Sequence, residues 1–340
     1  MWIREVPLAR PTKIGVVLAA VVAASSCGAA PDPGSTQGPG AISVRNCGVD
    51  LRFDRAPERA VTLEQSSTET LLALGLGEKM VGTAFPTAEI HPDYRAAYDR
   101  IPVLNPNELT AEQLRAAAPD VAVTSFGSNF AKDKVGTREE LHELGLPTFV
   151  SAVDCPQHEP GQTPFERLFR DYENLGTIFG VPERAAALTA QQRQIINNAE
   201  AAVPANPHDK PSVMYLYSMT QGLPYVAGHN GIPSDISRIL GVGNAFDDVR
   251  DEWPEVAWEE IAKRDPDVIV VGDLSDRGRL GDSAADKIRV LHEHPVVSQL
   301  TAVRENRFIE VPGIEMDPTV RSAHTLELVT EGMKSLGLLR

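Results

Sequence analysis

The chain has 340 residues, three of them cysteine, and a formal charge of −15 with an isoelectric point near 5.0. That length suits two domains with adequate cores. The acidity, without a basic patch or an aromatic stripe, excludes a nucleic-acid partner.

The first predicted element is a leader. Arg4, Arg10 and Lys13 precede the apolar run Ile14 to Ala24, and Ser25 and Ser26 lead to Cys27. A charged start, a short apolar run and small residues before a cleavage point make residues 1–26 a secretory signal. The run is far short of the ~20 residues that cross a bilayer. Ala24-Ser-Ser-Cys27 resembles a lipobox, with Ala in the place of the usual Leu, so Cys27 is expected to carry a lipid that anchors the exported chain to the cell membrane. Residues 27–41 are dense in Gly and Pro without apolar periodicity and read as a flexible tether. Its end-to-end distance is roughly 20 Å.

An N-terminal lobe is expected over 42–162. Its strands are read at Ile42 to Val49, Ala60 to Leu63, Val81-Gly-Thr, Val121 onward and Thr148 to Val153. Leu71-Leu-Ala-Leu-Gly-Leu-Gly77 closes a helix on glycine, and with Gly82 it fails the spacing of a dinucleotide loop. Cys47 and Cys155 are a candidate disulfide in an oxidising compartment, with two separate buried thiols as the alternative. A dithiol metal site would lack a His or Cys partner at ligand spacing.

Residues 163–180 read as a connecting helix. Thr163-Pro164 opens it, Phe165, Leu168, Phe169, Tyr172, Leu175 and Phe179 form its stripe, and Gly180 ends it. A C-terminal lobe follows over 181–340, with a helix from Glu183 to Val203 and a strand from Ser212 to Tyr217. His292-Glu-His294 stands before Pro295 at a helix end, where exposed polar residues are expected rather than a zinc pair. No G-x-S-x-G, H-E-x-x-H or P-loop occurs.

One segment occurs twice. Glu112-Gln-Leu-Arg-Ala-Ala-Ala-Pro-Asp-Val-Ala-Val123 returns as Glu259-Glu-Ile-Ala-Lys-Arg-Asp-Pro-Asp-Val-Ile-Val270, and Leu71 to Gly77 is echoed by Ile236 to Gly243. Each copy reads as a helix end, a proline stop and a buried parallel strand. The fold class is therefore α/β, with two lobes of one plan facing each other across a cleft, where small molecules are preferentially bound.

Arg59 to Glu69, Leu74 to Gly82, both Pro-Asp-Val units, Leu175 to Gly180 and Trp253-Pro-Glu-Val256 carry a family resemblance. From about Ile42 onward the chain resembles the periplasmic-type solute-binding proteins of ABC importers for ferric siderophores, haem and cobalamin. The resemblance implies two Rossmann-like lobes with mostly parallel sheets, joined by one long rigid helix, with a single ligand between them. It implies a monomer that delivers cargo to a permease dimer and its ATPase without performing chemistry. Tyr94 to Leu104 resembles a subgroup associated with iron complexes, so the expected ligand is a ferric chelate, with a corrinoid or haem as the alternative. An exported hydrolase of chelates and a structural surface lipoprotein are the competing classes; no resident cofactor or metal is expected.

The resemblance also implies the site. Gln65, Ser66 and Ser67, after Glu64 at a helix start, Phe85, and the loop from Phe126 to Asn129 would line the cleft on the first lobe. Tyr217, Tyr225, His229 and Trp253 would line it on the second, and Arg321 would face an acidic rim of the ligand. His229 is also weighed as a haem ligand. Glu112 and Glu259, one per lobe, are implied as docking points for the permease, while each also suits a helix N-terminus on electrostatic grounds alone.

Overall fold

Alternating apolar residues in β1 (Ile42–Asn46) and β2 (Val49–Phe53) build an antiparallel hairpin in the computed structural model, which describes residues 41–203, 210–220 and 222–340. The predicted leader, Cys27 and the tether up to residue 40 lie outside the described residues. Ile42 to Val49 is thus not one strand, as the sequence reading has it. It turns at Cys47 and Gly48, whose φ values of 47° and 80° give the two-residue turn that matches strand twist. The Asn46 side chain then exchanges two hydrogen bonds with the Val150 backbone, at 2.7 and 2.9 Å, strapping the hairpin to the main sheet.

That sheet is parallel. β3 (Ala60–Thr62), β4 (Met80–Ala84), β5 (Val103–Asn105), β6 (Val121–Thr124) and β7 (Thr148–Val150) lie in the order β5-β4-β3-β6-β7. Helices α1 (Gln65–Ala73), α2 (Pro92–Tyr98), α3 (Ala111–Ala116) and α4 (Arg138–Glu143) occupy the connections. β7 stops at Val150 rather than Val153, because residues 152–154 wind into a 3-10 turn capped by Ser151. The Cys47–Cys155 disulfide joins the hairpin turn to the segment just beyond, with Cα atoms 5.7 Å apart.

The helix α5 (Pro164–Phe179) follows the sequence reading closely. Thr163 and Glu166 form a reciprocal capping box, and Gly180 closes the helix at φ 70°. Its stripe from Phe165 to Phe179 belongs to one continuous core that contains Phe149 of the first sheet together with Tyr215 and Val270 of the second. α6 (Pro182–Ala201), beginning one residue before the predicted Glu183, packs along α5.

The second sheet comprises β8 (Ser212–Thr220), β9 (Leu223–Val226), β10 (Gly243–Asn244), β11 (Val268–Asp273) and β12 (Phe308–Pro312). The order β10-β8-β11-β12 is parallel and repeats that of β4-β3-β6-β7, while β9 folds back antiparallel on β8. α7 (Ile232–Ile239), α8 (Trp258–Arg264), α9 (Ala284–Glu293), α10 (Thr301–Arg304) and α11 (Ser322–Ser335) surround it, and α11 returns to pack on α6.

The repeated segment has a mechanical basis. Ala118 and Asp265, each directly before its proline, turn the chain at φ 44° and 40°. The next aspartate then clamps the start of the neighbouring strand. Asp120 donates its N–H to Arg59 O at 3.0 Å and accepts from Arg59 N at 2.9 Å; Asp267 does the same with Ser212, at 2.8 Å each way.

Candidate functional site

The carboxyl ends of both parallel sheets open on one cleft, the usual ligand position in such folds. A cavity of about 270 Å³ there is lined by Gln65, Ser66, Phe85, Phe126 and Asn129 from one side and Tyr217 and Trp253 from the other. These seven predicted residues come together. Glu108, Lys134, Arg277 and Asp317 join them without having been read from the sequence.

The N-terminal wall is polar and pre-formed. Glu64 caps α1, and its carboxylate accepts from the backbone N–H groups of Ser66, Ser67 and Ser125. The helix N-terminus is therefore filled by the protein's own carboxylate, so Ser66 and Ser67 do not offer free N–H groups to a ligand. Gln65 is buried, and its Oε1 accepts from Thr87 N and Ala88 N at 2.8 Å each, fixing the loop after Phe85. Phe85 itself sits at φ 48°, a strained conformation for an aromatic residue, held where its ring faces the cavity side of the lobe. Asn129 donates to Thr124 Oγ1 at 2.8 Å, and Lys134 pairs with Glu108 at 2.9 Å.

The C-terminal wall is aromatic and cationic. The Tyr217 and Trp253 rings lie 4.4 Å apart, and the Arg277 guanidinium sits 5.1 Å over the Tyr217 ring. Arg277 Nη2 donates to the Tyr217 hydroxyl at 2.6 Å, and that hydroxyl donates to Asp317 Oδ2 at 2.7 Å. Burial pushes the Asp317 carboxyl up to about 7, against the Tyr217 hydrogen bond and the Arg277 charge. Burial also raises the Tyr217 phenol well above its ordinary value. Beside them, burial and the charges of Asp317 and Asp154 push Glu252 up to about 8. Two buried donors in this wall, Trp253 Nε1 and Arg277 Nε, have no acceptor among the described residues.

The other predicted residues lie elsewhere. Ser67 is buried behind the cleft floor, where its hydroxyl donates to Glu64 O at 3.0 Å. Tyr225 is on β9, outside the cavity lining. His229 borders a separate hollow of about 450 Å³, its Nδ1 3.0 Å from Asp247. Arg321 lines an adjoining hollow of about 370 Å³ that shares Thr87 and Ile314 with the cleft. There its guanidinium lies 2.7 Å from Glu315 and 3.5 Å from Glu69, and it donates to Glu89 O at 3.1 Å. Arg277, rather than Arg321, is the arginine in the aromatic cleft. Glu112 and Glu259 are exposed in the first turns of α3 and α8, with no ion-pair partner among the described residues.

His292 and His294 pack on different rings, Phe308 and Trp258. Among the described residues no group of three or more His, Cys, Asp or Glu is placed to hold a metal ion. Nor is any described helix long and apolar enough to cross a membrane.

Arg277 was within reach of the sequence. The two Pro-Asp-Val units are 147 residues apart, Pro119 to Pro266, and that offset carries Phe130, just after the predicted cleft loop, onto Arg277. Asp317 gave no such signal, because its role depends on the fold around it.

A family model described as periplasmic binding protein matches residues 61–314. The chain is 28% identical over 218 residues to a "Vitamin B12-binding protein" of Yersinia pestis, covering 64% of this chain and 70% of that one. Among solved structures it is similar to a periplasmic binding protein from Veillonella parvula, with a TM-score of 0.74 and 27% identity over 87% of this chain and 98% of the other. It is also similar to a protein of an ABC-type Fe3+-hydroxamate transport system from Saccharomonospora viridis, with a TM-score of 0.69 and 27% identity over 86% and 98%.

Proposed function

Because the chain belongs to the periplasmic binding protein family, we propose that it is the extracytoplasmic substrate-binding component of an ABC importer, capturing a ferric siderophore or related iron chelate and handing it to the permease. The observation that carries this reading is the cleft wall of Tyr217, Trp253 and Arg277, an aromatic pair with a guanidinium over it. Aromatic faces suit a bulky chelate, and the Arg277 guanidinium suits its oxygen rim. The cavity with its adjoining hollow falls in the range of small-molecule sites, ~300–1,000 Å³. The Fe3+-hydroxamate relative supports the same class.

A corrinoid is the second reading, favoured by the likeness to the Yersinia protein. Haem fits the donors less well. The Tyr217 hydroxyl is engaged by both Arg277 and Asp317, and His229 lies in another hollow, so neither is presented as an axial ligand.

In this proposal Cys27 carries the lipid that holds the exported protein at the membrane, and Glu112 and Glu259 meet the two permease subunits. Rim charges of that kind tune docking rate and salt sensitivity and leave the cleft alone. The ligand reading is tested by quenching of Trp253 fluorescence with ferric hydroxamates, ferric citrate, haemin and cyanocobalamin. Saturable quenching by a ferric hydroxamate is expected. A response to cyanocobalamin or haemin alone would replace the iron-chelate reading.

A further inference from the structure

β8 and β11 pair as far as Leu216 and Val271. At the next two residues one ammonium bridges the strands: Lys287 Nζ donates to Tyr217 O at 2.7 Å and to Gly272 O at 2.6 Å. Lys287 rises from α9 and is 0% exposed. Its nearest carboxylate, Asp282, is 3.9 Å away and also accepts from Ser218 Oγ at 2.8 Å.

A fully buried lysine is a costly placement that a packed apolar side chain would avoid. Its position suggests what the charge adds. Tyr217 is the residue at which β8 enters the cleft, and its hydroxyl sets both Arg277 and Asp317. Arg277 lies in the loop between β11 and α9, whose two ends are joined by the Leu274 N to Asp282 O bond at 3.0 Å. Lys287 thus touches the backbone of Tyr217, whose ring forms the wall, and stands beside the carboxylate of Asp282, whose backbone carbonyl closes the Arg277 loop.

We propose that Lys287 is a positioning residue for the ligand cleft, holding the Tyr217 backbone and the Arg277 loop in the ligand-facing arrangement from behind the sheet. The proposal rests on reading this cleft as the binding site. Three charged groups bear on the ammonium: Asp282 from the loop, Asp273 from the end of β11, and Arg277. Burial pushes Lys287 down to about 8, with the two aspartates opposing that shift and Arg277 adding to it.

The test uses the ligand-free protein with Trp2→Phe and Trp258→Phe, which leaves Trp253, packed against the Tyr217 ring, as the sole tryptophan. The parent should show a change in Trp253 emission with a midpoint near pH 8, the value to which Lys287 is pushed. Lys287→Met should abolish that change and raise acrylamide quenching of Trp253 at every pH. Asp282→Asn keeps both carbonyl contacts and removes a charge that favours the ammonium, so it should move the midpoint to lower pH. It decides the matter if Lys287→Met does not fold, as judged by far-ultraviolet dichroism. A transition that survives Lys287→Met belongs to another group of the wall, such as Glu252, pushed up to about 8, or Asp317, up to about 7, and overturns the proposal, as does an unmoved midpoint in Asp282→Asn. No chelate is present in this experiment, so its failure is distinguishable from failure of the chelate reading.

Discussion

Arg277 lies over the Tyr217 ring and hydrogen-bonds its hydroxyl, so it combines two tasks in a single side chain. Arg277→Ala should weaken chelate binding by about tenfold or more, the scale of a lost charge-assisted hydrogen bond. Arg277→Lys should not restore it, since an ammonium lacks the planar fork and the stacking face. Titration of the chelate found in the fluorescence panel measures both; affinity near wild type in Arg277→Ala would remove Arg277 from the site. The buried carboxyls act on stability. Burial pushes Asp171 and Asp317 up to about 7 and Glu252 up to about 8. Each binds its proton more tightly folded than unfolded, so its stabilisation is complete below about pH 4 and is lost as the pH rises through about 7 to 8. Lys287, with its folded value lowered, acts in the opposite sense only above about pH 8. Melting should therefore fall by on the order of 5 °C between about pH 5 and 8. A flat or rising profile across that window would show that these carboxyls do not hold protons in the fold.

Among the elements, the hairpin β1–β2 depends most on a single covalent link. Its turn places Cys47 at positive φ, and the Cys47–Cys155 disulfide closes a separation of 108 residues. Replacing both cysteines by serine should lower stability by about 4 kcal/mol in the chain-entropy account. Urea unfolding of the double variant provides the measurement, and an unchanged midpoint would show that the bridge adds nothing. α5 was legible in the sequence because its cap, stripe and terminal glycine are local signals. The two Pro-Asp-Val strands were legible because a repeat reports its own importance, and the aspartate clamps explain what it preserves. The hairpin was missed because Cys-Gly is an unusual occupant of a turn that favours Asn-Gly. Ser66 and Ser67 are legible as residues of a helix start, but only the fold shows the Glu64 carboxylate taking their N–H groups. Arg321 is implied by the family resemblance alone, whereas the fold engages it with Glu315, six residues away, and with Glu69 from a distant segment.

For the whole molecule, α5 sets the stiffness. Its stripe is shared by the cores of both sheets, and the lobes also touch directly, through Ser125 Oγ to Pro318 O at 3.2 Å and Glu89 N to Asp276 Oδ2 at 3.0 Å. Chelate binding should leave the radius of gyration nearly unchanged in small-angle scattering; a marked contraction would mean that the joint is a hinge. Docking concerns the opposite property, the exposed surface. Glu112→Lys combined with Glu259→Lys should abolish uptake through the cognate importer while cleft binding is retained. Persistent uptake at physiological salt would exclude these glutamates as docking points.

The shared core also bears on how the protein comes into being. The first sheet is synthesised before residues 164–179, yet Phe149 packs in the same cluster as Phe165, Leu168 and Tyr172. A nascent chain ending before α5 would expose that apolar face, so the first lobe gains a stable fold only when the helix emerges behind it. Heating the protein should accordingly give one calorimetric transition rather than two, and a fragment ending at Gln162 should remain unfolded. The helix that joins the lobes thereby makes their folding a single event.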